Sequence, residues 1–589
     1  MPDLSALTAI LSDDERKFVA LIGALRSPGV IATHPGPARL PTGKLIGEHF
    51  GRLLAGWIPH VFTPEETHAV RLEGLRYMVI ALHIEQVQRD IHPRKLPAIV
   101  KAQLVFARQS YAIRYFRTFR VNDLPTENFS NILRFVIWDQ TKHPIDARLR
   151  ITWTCRRWRE IALADSTLWN AIWFRGAGGA GGSQIERAWA WFDRAREAPL
   201  DIRIDTAPTS EDSDSDSSVS EVLAEPAVSP NNMHQMILRL FNKLSTIRVL
   251  IVVVDDWESA LTVLELLAEG GPAGMPTLER FELHRAGTQI EDRNSITWPA
   301  IVSRPFLGGA VAPSLAYLSV NGVPINWSRS VLENLTTLDI RRLPSSYSPD
   351  AVRFREILGS CPRLDKLSLD GAGPKFEQSL EKIQPIQLPY LRTLVIADFT
   401  CPYAIFLFSQ FSAPGVNDLT LMNLCREDFT PLFLQLTSTF PKVRLLTTYS
   451  IQISVGPSGI QIMRSWLESM PLLVYLRIAN VANQFFETFF RTDADGNSTP
   501  VVPGLAFMDC QSLDPSVVVK FTKDLHRLGK PLQKIYVSPE LGERLDPEQI
   551  KVLTSLCVLA KLPKGATTPE EEVLTHLVRL LGLLVHLPR

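Results

Sequence analysis

Cysteine is scarce in this chain. Six stand in 589 residues, at positions 155, 361, 401, 425, 510 and 557, and no two are spaced as a metal clip or a redox pair. So sparse a set argues against a disulfide framework and suits a reducing compartment. Excess charge is missing too, because 62 Lys and Arg balance 62 Asp and Glu. A polyanion binder draws its affinity from surplus cations on phosphate, so nucleic acid is not expected as a partner. No apolar run reaches the roughly 18 residues that a bilayer span needs. The opening MPDLSALTAILSDDERK has no basic stretch ahead of its apolar one, which is not the pattern of a secretory signal. We expect a soluble, intracellular protein, cytoplasmic or nuclear, with no membrane contact.

Catalytic signatures are equally thin. The twelve histidines are dispersed, with no HExxH pair, and there is no P-loop. Gly456-Pro457-Ser458-Gly459 misses the G-x-S-x-G elbow. Gly176-Ala177-Gly178-Gly179-Ala180-Gly181 does match GxGxxG, follows a strand-like AIWF, and has Asp201 twenty residues beyond its last glycine. A dinucleotide site uses such a loop to bring backbone against a pyrophosphate. The chain ahead of it reads as helical, however, without βαβ alternation, and a glycine linker is the better reading. Asp255 and Asp256 follow the apolar run IRVLIVVV and read as a solvated strand end. We assign no catalytic residue, cofactor or metal ligand, and do not read the chain as an enzyme.

What the chain has is repetition. The unit is Leu-x-x-Leu-x-Leu or its apolar equivalent. It runs as IRVLIV at 247, LERFEL at 278, LAYLSV at 315, LTTLDI at 335, LDKLSL at 364 and LRTLVI at 391. It continues as VNDLTL at 416, VRLLTT at 443, LVYLRI at 473, LAFMDC at 505 and LQKIYV at 532. Spacings run from 20 to 37 residues, and a proline usually stands just ahead, as in MPTL, APSL, CPRL, LPYL, FPKV and MPLL. Positions 4 and 6 of the unit alternate, so they point to one side of a short strand. One unit cannot close a core, so neighbours must stack. Apolar helical stretches such as AVRFREILGSC, FTPLFLQLTSTF and IQIMRSWLESM lie between units and would cover the opposite face. Strand plus helix at this period predicts an α/β leucine-rich-repeat horseshoe over 233–545, irregular because the spacing varies. The Asn or Cys that usually follows such a strand is mostly missing, which leaves an internal amide ladder unassigned. The alternative is an α/β domain of another kind with chance matches.

Around this array we read a helical block over 1–120, with patterns at 44–57, 64–87 and 96–116. Thr63-Pro64-Glu65-Glu66 reads as a helix start. Residues 175–205 hold the glycine linker, a helix and a first strand, PLDIRI. Residues 206–232 are rich in Ser, Asp, Glu and Pro and poor in aromatics, a composition that cannot bury enough apolar area to fold. Ser213, Ser215, Ser217 and Ser218 stand there among acids, as candidate phosphorylation sites. Residues 546–589 read as a helical cap, with Thr568-Pro569-x-Glu571 as a capping box.

Residues 121–174 carry the most specific signal. Leu124-Pro125-x-Glu127 opens the stretch, Cys155-x-x-Trp158 follows, and Leu168-Trp169 closes it. This order of landmarks resembles an F-box, the segment that docks a protein onto the Skp-type adaptor of a cullin–RING ubiquitin ligase. The continuation through Trp169, Trp191, Arg194 and PLDIRI resembles F-box proteins of basidiomycete fungi. The resemblance implies a substrate receptor whose adaptor contacts are Leu124, Pro125, Phe129, Ile132, Leu133, Trp153, Trp158, Leu168 and Trp169. Phe129, Ile132 and Leu133 fall at i, i+3, i+4 and predict one apolar helix face, and Ile151, Trp153, Cys155 and Trp158 share a second helix pattern. Asn128 departs from the family, which often has an apolar residue there. Arg148, Arg150, Arg156, Arg157 and Arg159 form a basic cluster, a solvated face or a match for an acidic adaptor surface. From strand alternation we take Tyr317, Asp339, Ser368, Arg477 and Tyr536 as candidate target contacts. A ligase-independent interaction scaffold is the competing reading.

Overall fold

A computed structural model of the chain describes residues 7–24, 63–90, 98–118, 124–137, 144–175, 181–205, 230–270, 275–285, 304–377, 384–454, 456–492, 498–563, 566–571 and 573–574. The helix expected over 44–57, the glycine-rich 176–180 and the four candidate phosphorylation serines lie outside these residues. The chain divides into two compact units, Met1–Ala164 and Asp165–Arg589. Its architecture is mixed α/β, with one large parallel sheet that does not close on itself.

The described elements of the first unit are helical. They are α1 (Asp13–Ala24), α2 (Pro64–Asp90), α3 (Ala98–Thr118), α4 (Thr126–Ile137), α5 (Pro144–Thr154) and α6 (Arg156–Ala164). Two capping boxes start the first pair. The Ser12 N–H bonds Glu15 at 2.9 Å while Ser12 Oγ accepts from the Glu15 N–H, and Thr63 and Glu66 repeat the exchange. Phe18 and Ile22 of α1 join Val79, Ile80 and Ile84 of α2 and Val100 and Leu104 of α3 in one sealed core. Glu15 serves twice, since Arg76 also donates to it at 2.7 Å.

The second unit carries a sheet of fourteen parallel strands that lie side by side in chain order. The first seven are β1 (Ala171–Arg175), β2 (Leu200–Asp205), β3 (Ile247–Val254), β4 (Arg280–Arg285), β5 (Tyr317–Asn321), β6 (Thr337–Arg341) and β7 (Lys366–Asp370). The rest are β8 (Thr393–Ala397), β9 (Asp418–Leu424), β10 (Leu445–Ile451), β11 (Tyr475–Ala479), β12 (Phe507–Gln511), β13 (Lys534–Val537) and β14 (Val558–Lys561). The eleven sequence units are β3 to β13, and they align in register. Position 4 forms one row from Leu250 on β3 through Leu318 and Leu394 to Ile535 on β13. Every member of that row is an Ile, Leu, Phe or Met and is buried. At about 1.5–3 kcal/mol for each such side chain, this row and the position 6 row beside it are the main cohesive force of the array.

The proline ahead of the unit has a definite task. Cys361-Pro362-Arg363-Leu364, Leu388-Pro389-Tyr390-Leu391 and Met470-Pro471-Leu472-Leu473 each close a turn, with the fourth N–H bonding the first carbonyl at 3.0, 3.2 and 3.2 Å. Proline presets the backbone of the second turn position. The turn drops two side chains into the core at once, as with Cys361 and Leu364 or Met470 and Leu473. The residue after the turn then links repeats. The Asp365 carbonyl accepts from both Arg392 and Thr393, and the Arg444 carbonyl from both Val474 and Tyr475.

At the other end of each strand from β5 to β12, one residue adopts the left-handed conformation. These are Gly322, Arg342, Gly371, Asp398, Asn423, Ser450, Asn480 and Ser512, with φ between 48° and 64°. Six of the eight carry a Cβ, at a cost of about 1 kcal/mol each, so the turn is imposed by the array and not chosen by glycine. In place of a regular amide ladder there is a local bond, Asn480 Nδ2 to Ser450 Oγ at 2.7 Å.

Helices separate some of the strands, while among the described residues none lies between β5 and β6 or between β7 and β8. They include α7 (Gly181–Arg194), α8 (Pro230–Leu240), α9 (Trp257–Gly270), α10 (Ala351–Gly359), α11 (Cys401–Ser409), α12 (Thr430–Leu436) and α13 (Pro457–Glu468). Then come α14 (Pro515–Arg527), α15 (Pro539–Arg544) and α16 (Pro547–Leu556). Two expectations change here. PLDIRI is the second strand and pairs with AIWF, which is β1. The tail 546–589 is not wholly helical, because α16 stops at Cys557 and Val558–Lys561 adds a fourteenth strand on β13. The strand won because its apolar residues extend a sheet edge already on offer.

Candidate functional site

Two surfaces were singled out by sequence, and each lies in its own unit. The first is the helical stretch from Leu124 to Ala164. The Pro125 carbonyl accepts from the Phe129 N–H at 3.0 Å, so Leu-Pro does open α4. The predicted apolar face splits in two. Phe129, Leu133 and Ile137 are sealed inside the chain, with Phe129 only 1% exposed and its ring edge-on to Trp158 at 5.0 Å. Ile132, Phe135 and Val136 turn outward, with Phe135 80% exposed. The second helix pattern also breaks, at Cys155 between α5 and α6. Thr152 and Thr154 bond back to the carbonyls of Leu149 and Arg150, and Arg159 Nε takes the Thr152 carbonyl at 2.7 Å, which ends α5. Trp153, on its last turn, is 70% exposed.

The basic cluster is not one surface. Arg148 is buried, and desolvation pulls its pKa down to about 10. Arg156 pairs with Glu160 at 2.8 Å, and Arg157 donates to the Leu124 carbonyl at 3.2 Å, tying α6 to the start of α4. Leu168 and Trp169 fall in the second unit, both buried on the turn before β1. Trp169 meets Trp191 at 5.9 Å, with the Arg194 guanidinium over its ring at 5.0 Å. Trp169, Trp191 and Arg194 thus pack as one aromatic–cation group.

The second surface is the solvent side of the sheet. Four of the five candidate contacts, Asp339, Ser368, Arg477 and Tyr536, occupy the position 5 row, and Tyr317 stands one row away. Asp339 and Ser368 are buried all the same. On β2, β4 and β6 an acid sits deep and an arginine two residues away lies over it. Arg203 bonds Asp205 at 3.0 Å, Arg341 bonds Asp339 at 2.7 Å, and Arg280 pairs with Glu282. The arginines are the exposed partners, so this end of the face presents cations. Trp173 on β1 adds an exposed ring, with Arg175 and Arg203 within 5.1 and 5.2 Å of its centre.

His284, Ser319 and Asp339 meet on this face but do not form a catalytic relay. His284 Nε2 lies 3.0 Å from Ser319 Oγ and 3.5 Å from Glu282 Oε2. A relay needs the acid on the other ring nitrogen, and Ser319 is fully covered. Burial also lowers the His284 pKa. Asp201, the acid spaced for a nucleotide site, is clasped by Arg248 through both oxygens, at 2.9 and 2.6 Å. Among the described residues no group of three or more His, Cys, Asp or Glu is placed to hold a metal ion, and no helix is long and apolar enough to cross a membrane.

At the far end of the face, Arg477 and Tyr536 already have partners in the C-terminal segment. The capping box is there: Thr568 Oγ1 accepts from the Glu571 N–H at 3.1 Å and Glu571 accepts from the Thr568 N–H at 3.4 Å. It lies across β11 and β13, a placement the capping signal alone could not reveal. Thr568 bonds the Tyr475 hydroxyl at 3.2 Å, Arg477 donates to Glu571 at 2.6 Å, and Lys534 and Tyr536 both hold Glu570. Compared with known proteins, the chain matches no protein-family profile and no curated protein.

Proposed function

We propose that this chain is a substrate receptor of a cullin–RING ubiquitin ligase, acting inside the cell. The stretch α4–α6 is its F-box and takes the Skp-type adaptor, through which the cullin is recruited. The sheet and its helices are an irregular leucine-rich-repeat horseshoe whose solvent face takes the protein to be ubiquitinated. The receptor performs no bond chemistry. It raises the local concentration of target near a ubiquitin-loaded enzyme.

The observation that carries this reading is the outward set Ile132, Phe135, Val136 and Trp153. Large apolar side chains left in water on so short a module favour a protein partner, and Phe129 and Trp158 hold the module together from beneath. The adaptor face is therefore this set with Leu124 and Pro125, while Phe129 and Leu133 support it. Association costs absorb much of the apolar gain, so several of these side chains must act together. The test is co-purification with a Skp-type adaptor, comparing the native chain with Phe135→Ala/Trp153→Ala. Loss of capture by a folded variant supports the receptor. If the native chain fails to capture adaptor, a ligase-independent scaffold replaces it.

A further inference from the structure

We propose that residues 566–571 are an internal occupant of the target face, and that the partner they stand in for is an acidic peptide segment. This rests on the target-binding half of the reading above. The segment meets the sheet through side chains whose chemistry is uniform. Glu571 receives Arg477, Glu570 receives Lys534 and Tyr536, and Thr568 bonds Tyr475. The receiving groups are fixed before any acid arrives. Tyr475 and Arg477 are two residues apart on β11, and Asp509 on the neighbouring strand holds Arg477 Nε at 2.8 Å. A carboxylate entering here finds donors already aimed, which is the condition for charge-assisted recognition.

The hold is also of a kind that exchanges. Among the described residues the segment forms no strand, so no strand pairing stitches it to the sheet. Arg477, Lys534 and Glu570 keep about a quarter of their side-chain surface in water, where an incoming acid can reach them. At the opposite end of the same face Arg203, Arg280 and Arg341 are the exposed members of ion pairs with buried acids. Among the described residues the chain's own glutamates meet the β11–β13 end of this face. Tethered to the sheet, they compete at an effective concentration of order millimolar.

The probe is a fluorescent synthetic peptide of residues 566–574, titrated by anisotropy against the full-length chain. The native chain should bind it weakly, and Glu570→Gln/Glu571→Gln at least ten-fold more tightly, because the internal competitor is weakened. A peptide with its glutamates changed to glutamine should lose that gain. Adding Lys534→Met/Tyr536→Phe to the opened chain should reduce binding again, without disturbing the Arg477–Asp509 pair. Equal binding by native and opened chains, or no binding by an opened chain that still melts cooperatively, overturns the proposal. Adaptor capture depends on α4–α6, so its outcome separates failure here from failure of the receptor reading.

Discussion

Arg477 and Asp509 face each other across β11 and β12, joined Nε to Oδ2 at 2.8 Å. Asp509 is almost wholly buried, and burial raises its pKa despite the arginine. Removing the cation strands a carboxylate. Arg477→Met should destabilise by about 3 kcal/mol, and Arg477→Met/Asp509→Leu should recover much of the loss, since two apolar groups leave no orphan. Urea unfolding of the two variants measures this. Equal stability of the single and double variants would refute it.

Asp418, next along the sheet from Thr393, has its pKa raised to about 6 by burial first and by the nearby Glu571 second, against Lys366 and Arg477, which lower it. A carboxyl whose folded pKa lies above its unfolded value is easier to bury protonated. Stability therefore falls as pH climbs from about 4 through 6, and the penalty is complete above that. Asp418→Asn removes the penalty. The variant should exceed the native chain by on the order of 1–2 kcal/mol at pH 7.5 and match it at pH 4. Melts across this window give the sign directly.

Thr448 stands in the position 6 row, where its neighbours are Leu421 and Ile478. It is fully buried, and its hydroxyl finds no hydrogen-bond partner among the described residues. Thr448→Val keeps the shape and deletes the stranded polar atom. The expected gain is about 1 kcal/mol in chemical unfolding, and a loss would mean that the hydroxyl is satisfied.

Phe129 and Phe135 are six residues apart on one helix and should behave oppositely. Phe129→Ala empties a sealed site and should cost about 3–4 kcal/mol. Phe135→Ala should leave the melt within about 0.5 kcal/mol, as exposed sites do, while weakening adaptor capture. A comparable loss of stability in both would show that Phe135 is a packing residue.

Thiol chemistry should find one fast site. Cys425 is exposed, whereas Cys361, Cys401 and Cys510 are buried, and burial raises the thiol pKa of Cys361 and Cys557 to about 11. Reactivity follows the thiolate. Native-state labelling with a disulfide reagent at pH 8 should modify Cys425 first, and Cys425→Ser should abolish that fast phase.

The strands were legible because their signal is local and repeated. Leu318 and Leu338 each sit in a Leu-x-x-Leu-x-apolar frame, and the register follows from placing like on like. The turn was half legible: the prolines were plain, but not their closure of one bond pattern at Cys361, Leu388 and Met470. The left-handed residue at the strand's end left only a partial mark: Gly322, Gly371 and Asn480 suit it, but Arg342 and Ser450 take it under tertiary constraint and not by preference. In α4 the period of the apolar residues was read correctly but not its side. Six apolar residues ring that helix, so Phe129 inside and Phe135 outside cannot be told apart from spacing alone. Arg477 and Tyr536 were placed on the right row, yet their link to Glu571 and Glu570 spans 94 and 34 residues, beyond the reach of any local pattern.

The doubly accepting carbonyls at Asp365 and Arg444 tie each repeat only to its successor. Growth of such an array is therefore a question of copying, not of redesign. Duplicating one turn–strand segment ahead of β11 would lengthen the face by a single strand spacing, about 4.8 Å, and leave the remaining junctions as they were. A lineage could in this way widen the sheet while the helices α4–α6 stayed untouched.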